Sequence, residues 1–164
     1  MDTSSKVEKF WDRTATYYDK EEKKDELTYF NFIEKARMYI KVNDIVLDFG
    51  CGTGIVCNEI ADNVKMVYAI DISSKMIEIA RNKAYDRKIE NIDYAYTTIF
   101  DDRFKLDTFD IIIVFNVLHL LEDLPKHIKR ISELLKPEGY IISATPCMGE
   151  KPFLNSLFSV GSKI

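Results

Sequence analysis

An apolar run that ends in closely spaced glycines constrains this chain most. The segment 45–54, IVLDFGCGTG, passes from apolar residues through Asp48 to glycines at positions 50, 52 and 54. Glycine permits a positive φ and lets the main chain approach a ligand where a Cβ would collide. A helix predicted from Ile55 directs unpaired N–H groups and a partial positive charge to the same place. The segment therefore predicts a strand, a turn and a helix, with the backbone amides of the turn facing a ligand.

The spacing of these glycines distinguishes between two kinds of ligand. A dinucleotide-binding turn has the pattern G-x-G-x-x-G and seats a pyrophosphate, whereas this turn has G-x-G-x-G and is preceded by Asp48. A carboxylate repels a phosphate but attracts an ammonium or sulfonium group. The pattern acid-x-G-x-G-x-G resembles the first motif of the class I S-adenosylmethionine-dependent methyltransferases. A tight turn without a ligand and a nucleotide or dinucleotide site remain the alternatives.

The second predicted strand, KMVYAID over 65–71, also ends in an acid. In doubly wound folds a carboxylate at this position accepts hydrogen bonds from ribose hydroxyls, so Asp71 is a candidate ribose ligand. The alternative is that Asp71 caps the next helix, although Ser73 or Ser74 is better placed for that. The cofactor-binding residues predicted from the motif, the strand ends and the resemblance are Tyr18, Asp48, Gly50, Cys51, Gly52, Gly54, Asp71, Ile72, Met76, Thr98, Ile99 and Asn116.

The ends of the third and fourth predicted strands agree less closely with the family pattern. Members of the family have an acid after the third strand that accepts from the adenine amino group. Here Thr98 occupies that position and Asp101 comes three residues later, while the N–H of Ile99 is predicted to serve a ring nitrogen. The resemblance places Asn116, after the fourth strand, near the methionine end of the cofactor and the substrate. His119 is a candidate catalytic base, although a lone histidine is more often a packed or surface residue.

The region before the first strand is rich in aromatic residues. Residues 1–25 are predicted to form a lid segment and residues 26–164 the cofactor-binding core. Within the lid, the resemblance places Tyr18 near the sulfonium, where an aromatic ring attracts a cation. The alternative is that these rings pack on the core. His127 lies in the polar part of a later helix and is expected to be exposed.

Strand and helix patterns alternate five times along the chain, which predicts an α/β fold with right-handed crossovers. The expected architecture is a doubly wound, Rossmann-like parallel sheet with strand order 3-2-1-4-5. The family core then adds a helix and an antiparallel hairpin, and residues 147–164 are too few for both. We therefore expect the hairpin to be missing, in a truncated chain or a reduced fold, and a single helix at Phe153, Leu154, Leu157, Phe158 and Val160. The fifth strand would then be covered by this segment or by a second copy, as a homodimer.

Composition excludes several classes of function. The 164 residues suit one domain, and the net charge of −4 and the pI near 5.3 argue against a nucleic-acid-binding face. No apolar run reaches membrane-spanning length and the start has no signal-peptide pattern, which predicts a cytoplasmic protein. The spacing of Cys51, Cys57 and Cys147 predicts free thiols and no metal site.

The sequence thus predicts a methyltransferase that uses S-adenosyl-L-methionine and a small-molecule acceptor. No Pro-Pro-aromatic element follows the fourth strand, which disfavours nucleic-acid amines as acceptors. A cofactor-binding module without transferase activity is one alternative, because part of the fold is expected to be missing. A nicotinamide oxidoreductase is the other, and Asp48 and the short glycine spacing disfavour it.

Overall fold

The computed structural model describes residues 3–22, 26–146 and 156–162. Five helices and six strands are described in this part of the chain. The helices are α1 (Thr3–Glu22), α2 (Glu26–Arg37), α3 (Ile55–Ile60), α4 (Ser74–Asp86) and α5 (Leu124–Leu134). The strands are β1 (Ile45–Phe49), β2 (Met66–Asp71), β3 (Ile92–Tyr96), β4 (Phe109–Phe115), β5 (Leu135–Pro146) and β6 (Ser156–Ser162).

The strands form one sheet in the order β3-β2-β1-β4-β5-β6, in which β1 to β5 are parallel. The predicted Rossmann-like order 3-2-1-4-5 is confirmed. The central strands β1 and β4 are apolar because helices cover both faces of the sheet. Val46 and Ile111 belong to the core on one face, and Leu47 and Ile112 to the core on the other. The strand order reverses between β1 and β4, which opens a crevice at the carboxyl ends of these strands.

The C-terminal end of the sheet differs from the prediction. Residues 156–162 form β6, which pairs antiparallel with β5 from Pro146 opposite Ser156 to Tyr140 opposite Ser162. The prediction of a helix is therefore wrong for Leu157, Phe158 and Val160, while Phe153 and Leu154 lie outside the described residues. An antiparallel strand is present at the edge where the hairpin was predicted to be missing.

Sheet-edge hydrogen bonding gives the physical reason for this difference. An open β5 edge would leave a row of unpaired N–H and C=O groups, and a short apolar segment fits the strand period as well as the helical one. The edge is covered by the chain itself, which is one of the two coverings predicted. A second copy is not needed for that purpose, and homodimerisation stays a prediction.

Helix α1 lies across the crevice and is held at several points along its length. The carboxylate of Asp12 accepts from Ser73 Oγ at 2.6 Å and from the Lys75 N–H at 3.2 Å. One turn beyond Ala15, which is buried, Asp19 accepts from Thr53 Oγ1 at 2.5 Å. Among the helices that the structure describes, even this longest one is too polar to cross a membrane.

Candidate functional site

A cavity of about 470 Å³ opens at the carboxyl ends of the parallel strands, under α1. Its volume lies in the range of small-molecule and cofactor sites. Its wall combines strand ends with side chains of α1 and of the segment that joins β4 to α5. The lining residues are Val7, Trp11, Tyr18, Phe49, Gly50, Gly52, Asp71, Ile72, Met76, Thr97, Thr98, Phe115, Asn116, Val117, Leu120, Leu121, Glu122 and His127.

The glycines of the turn have three different roles. Gly50 has φ +76°, and a Cβ there would overlap Cγ2 of Val117, so this position requires glycine. A Cβ on Gly52, with φ +53°, would meet the Tyr18 ring at 3.7 Å, which means that the missing side chain leaves room in the cavity. Gly54 faces Ala80 of α4 instead, at 3.0 Å from a built Cβ. It lies outside the cavity wall, so its predicted contact with a cofactor is replaced by close packing of the helices.

The amides of the turn are used within the protein. The N–H groups of Gly50 and Cys51 both donate to the carbonyl of Ile70, at 2.8 and 2.9 Å. The Gly52 N–H donates to Asp71 Oδ2 at 2.9 Å, and the Gly54 N–H donates to the Cys51 carbonyl at 3.0 Å. The prediction that these amides face a ligand is therefore wrong. A pyrophosphate would find none of these four donors free.

Asp71 lies on the cavity wall, as the sequence predicts. Its Oδ1 accepts from the Ser73 N–H at 2.8 Å, while Oδ2 is bound to Gly52. The alternative, a helix cap, is wrong because Ser73 is the N-cap of α4 and accepts from Met76 N at 3.1 Å. Burial raises the pKa of Asp71, although these backbone hydrogen bonds oppose that shift. The Ile72 backbone is a third donor, and a carboxylate with about four lone-pair sites keeps capacity for a ligand hydroxyl.

Asp48 does not reach the cavity. It is 1% exposed, lies beneath the turn, and its Oδ2 has no hydrogen-bond partner among the residues that the structure describes. Burial raises its pKa to about 7, partly offset by a hydrogen bond with Cys57 and reinforced by the charge of Asp71. The prediction that Asp48 contacts the cofactor directly is therefore corrected: one carboxylate, not two, lies on this part of the wall.

The remaining predicted residues divide between the wall and the core. Tyr18, Ile72, Met76, Thr98 and Asn116 lie on the wall, whereas Cys51 and Ile99 are buried behind it. The N–H of Asn116 donates to the Ala144 carbonyl at 2.8 Å, and its φ is +57°. Cys51 and Cys57 are free thiols, and Cys147 lies outside the described residues.

In the loop after β3, the carboxylate of Asp101 is hydrogen-bonded to other residues of the same loop. Asp101 Oδ2 accepts from Thr97 Oγ1 at 2.7 Å, and Oδ1 accepts from the Arg103 N–H at 2.9 Å. That backbone hydrogen bond is the main reason why the pKa of Asp101 is lowered. Thr98 is on the wall and its Oγ1 accepts from the Phe100 N–H at 3.3 Å.

Each of the two histidines has the environment that the sequence predicted for the other. His119, the candidate base, is exposed and is not on the cavity wall. His127, expected to be exposed, lies on the wall, where its ring stacks on Phe49 at 6.1 Å between centroids and meets the Phe100 ring edge at 4.9 Å. The signal for His127 was its place in the first turn of the helix that follows the fourth strand. Sequence reasoning also missed Val7, Phe49, Leu120, Leu121 and Glu122, since their contribution depends on long-range packing.

These features are those of a doubly wound domain of the class I methyltransferase type, with an acidic second strand end beside a glycine turn. A family model described as "Methyltransferase domain" matches residues 40–160, and the chain belongs to this family. The cofactor of this family is S-adenosyl-L-methionine. Among the described residues, no group of three or more His, Cys, Asp or Glu side chains could hold a metal ion.

Curated relatives are named as ubiquinone biosynthesis O-methyltransferases. One from Coxiella burnetii is 30% identical over 112 residues, which is 68% of this chain and 47% of the relative. One from Chelativorans sp. is 34% identical over 100 residues, which is 61% of this chain and 39% of the relative. The chain therefore spans about half or less of the length of these relatives.

Solved structures share the fold at lower identity. A SAM-dependent methyltransferase from Aquifex aeolicus matches with a TM-score of 0.69 and 20% identity, covering 94% of this chain and 79% of its own. Phosphoethanolamine N-methyltransferase 1 from Haemonchus contortus, in complex with phosphoethanolamine and S-adenosylhomocysteine, matches with a TM-score of 0.77 and 18% identity. This match covers 89% of the present chain and 33% of the nematode enzyme.

Proposed function

We propose that this protein transfers a methyl group from S-adenosyl-L-methionine to a small-molecule acceptor. The observation that carries the proposal is the combination of Asp71 on the cavity wall with a glycine turn in which the amides of all three glycines are already bonded. This combination favours a ribose hydroxyl at Asp71 and disfavours a phosphate on the turn. Membership of the methyltransferase family supports the same cofactor.

The residues present fit the cofactor. Asp71 offers lone pairs for ribose hydroxyls, Ile72 and Met76 offer apolar surface for the base, and the missing side chain of Gly52 leaves space beside Tyr18. When bound, S-adenosyl-L-methionine supplies a methyl group on a positively charged sulfur. The protein's own contribution is to orient the two reactants and to exclude water, which are the main requirements of such a displacement.

The acceptor side of the cavity is largely apolar. Val7, Trp11, Val117, Leu120 and Leu121 line it. This surface supports an uncharged acceptor, and the names of the curated relatives support a hydroxyl nucleophile. We also propose that α1, within residues 1–25, acts as the lid over this side, and that the protein works in the cytoplasm.

Removal of the Asp71 carboxylate tests the proposal. In isothermal titration with S-adenosylhomocysteine, Asp71→Ala should weaken binding about 100-fold, because charge-assisted hydrogen bonds to the ribose are lost. The affinity of Asp71→Asn should lie between those of the wild type and Asp71→Ala, since asparagine keeps one acceptor oxygen. Asp93→Ala removes an exposed carboxylate from β3 and should bind as the wild type does. Binding of NADH but not of S-adenosylhomocysteine by the wild type would contradict the proposal.

A cofactor-binding module without transferase activity is the second candidate. The observation that favours it is that His119, the candidate base, is exposed and lies outside the cavity wall. Incubation with methyl-labelled S-adenosyl-L-methionine and a panel of small phenols separates the two candidates. A transferase releases S-adenosylhomocysteine in proportion to labelled phenol, whereas the module binds cofactor without releasing product.

A further inference from the structure

The end of the cavity nearest β3 is where a nucleobase would lie, an inference that rests on the proposed function. If Asp71 binds the ribose, the base lies beyond it, on the side of the sheet where β3 follows β2. Ile72, Thr97 and Thr98 line that end. An adenine there presents an amino group, which needs an acceptor, and an adjacent ring nitrogen, which needs a donor.

Most acceptors at this end are already committed. Both oxygens of Asp101 accept bonds within the loop, and the hydroxyl of Thr97 donates to one of them. The carbonyl of Thr98 accepts from the Asp101 N–H at 3.2 Å, and its hydroxyl oxygen accepts from the Phe100 N–H. The Thr98 hydroxyl is therefore an acceptor with one lone pair in use.

His127 offers a free acceptor at the same end. Its Nδ1 lies 2.7 Å from the carbonyl oxygen of Asp123. A carbonyl oxygen only accepts, so Nδ1 carries the hydrogen and Nε2 of the neutral ring is left with its lone pair. Among the residues that the structure describes, none bonds to this Nε2.

The ring of His127 is held in place on two sides. It stacks on Phe49 with an interplanar angle of 11° and meets the edge of Phe100, which follows Thr98 by two residues. One turn further along α5, Arg130 donates to the carbonyls of Ile99 and Phe104 at 3.2 and 2.9 Å. Helix α5 is therefore tied to the same loop that carries Thr98.

We infer that His127 determines the choice of nucleobase, with its Nε2 accepting a hydrogen from the adenine amino group of the cofactor. A histidine on α5 thus takes the position of the acid that the loop after β3 lacks.

Two ligands that differ at position 6 of the base, and in the hydrogen that the 6-oxo base carries on the adjacent ring nitrogen, test this inference. S-adenosylhomocysteine carries an amino group there and S-inosylhomocysteine an oxygen, so isothermal titration of both gives a preference ratio. The wild type should bind the adenosyl ligand at least about tenfold more tightly, because Nε2 of His127 and the oxygen of the inosyl ligand are both acceptors and cannot bond to each other. His127→Phe keeps a stacked ring but no acceptor, and should lower the ratio about tenfold. His127→Gln keeps an acceptor and should retain most of it.

Two further variants serve as controls. His119→Phe makes the same substitution at a histidine outside the cavity wall and should leave the ratio unchanged. Thr98→Val removes the competing hydroxyl acceptor and should also leave it nearly unchanged. Circular dichroism checks that each variant folds, and if His127→Phe does not, His127→Leu replaces it in the comparison with His127→Gln.

The possible failures are distinguishable. A wild-type ratio retained by His127→Phe or His127→Leu, with S-adenosylhomocysteine still bound, would overturn the role of His127 and leave the proposed function intact. Loss of the preference in Thr98→Val would assign the acceptor of the adenine amino group to Thr98 and not to His127. A wild type that binds neither ligand would overturn the proposed function and this inference together.

Discussion

The two sides of the cavity are held in place by different forces. One side, the strand-end wall, consists of residues at the carboxyl ends of β1, β2 and β4, among them Gly50 and Asp71, and is continuous with the buried sheet. The other side, the α1 wall, consists of Val7, Trp11 and Tyr18. Among the α1 side chains that the structure describes, Ala15 alone is buried.

The difference concerns which side is formed before a ligand arrives. The strand-end wall is fixed by the hydrophobic core and by backbone hydrogen bonds, so its geometry is as stable as the whole domain. The α1 wall is held by hydrogen bonds that the carboxylates of Glu8, Asp12 and Asp19 accept from hydroxyl groups of the rest of the domain. Such bonds contribute on the order of 1 kcal/mol each. We therefore expect α1 to open locally while the sheet remains folded.

The largest expected effect comes from replacing Asp48, the buried carboxylate under the strand-end wall. The pKa of Asp48 is about 7 in the folded protein and 3.8 as its ordinary value. The folded state thus holds a proton that the unfolded state has lost, and stability falls as pH rises from about 4 to 7. Asp48→Asn removes this dependence and should be more stable than the wild type by about 3 kcal/mol at pH 8.

Urea denaturation at pH 5 and pH 8 measures this difference. Asp93→Asn, an exposed carboxylate on β3, is the matched control and should follow the wild type at both pH values. Equal losses of stability between pH 5 and 8 in the wild type and Asp48→Asn would show that Asp48 is ionised throughout. The protonation of Asp48 would then make no contribution to the pH dependence of stability.

A second test breaks the strand-end wall directly. Gly50→Ala places a Cβ against Cγ2 of Val117 at a φ of +76°, and should cost about 2–3 kcal/mol of unfolding free energy. The double variant Gly50→Ala, Val117→Ala removes the overlap but not the backbone strain. The loss of unfolding free energy in the double variant should therefore differ by about 1 kcal/mol from the sum of the losses in the two single variants, as measured by thermal or urea denaturation. Additive losses would mean that the overlap is relieved without cost.

The smallest expected effect concerns the α1 wall. Asp12→Ala removes the acceptor for Ser73 Oγ and the Lys75 N–H, so α1 should open more readily by about 1 kcal/mol. Hydrogen exchange should then quicken in α1 and stay unchanged in β1 and β4. Asp62→Ala, at an exposed acid after α3, is the control. Faster exchange throughout the sheet would mean that α1 and the core unfold together, and that the two sides do not differ as described.

The strand-end wall was largely predictable from sequence, because it follows from local rules. The alternation of strand and helix patterns predicted the sheet order, and the acid that ends β2 predicted the position of Asp71. The prediction went wrong where a side chain turned inward or a backbone group found a partner nearby. Asp48 points beneath the turn, and the amides of Gly50 and Gly52 bind Ile70 and Asp71.

The rest of the site could not be predicted, because it depends on contacts between distant segments. The docking of α1 rests on bonds such as that between Asp12 and Ser73, which are 61 residues apart. His127 reaches the wall through rings at positions 49 and 100. The pairing of β6 with β5 outweighed a local pattern that also suited a helix. Such interactions leave no periodic signal in a single sequence.

The backbone of Asn116 influences which side chains this position of the cavity wall can carry. Its left-handed conformation, with φ +57°, is accessible to glycine and, among residues with a side chain, mainly to asparagine and aspartate. Position 116 therefore accommodates a bare backbone, an amide or a carboxylate with the least strain, although Lys88 and Glu138 adopt the same conformation elsewhere in this chain. In related chains that keep this turn, we expect the cavity to vary more through α1 and through the residues between β4 and α5.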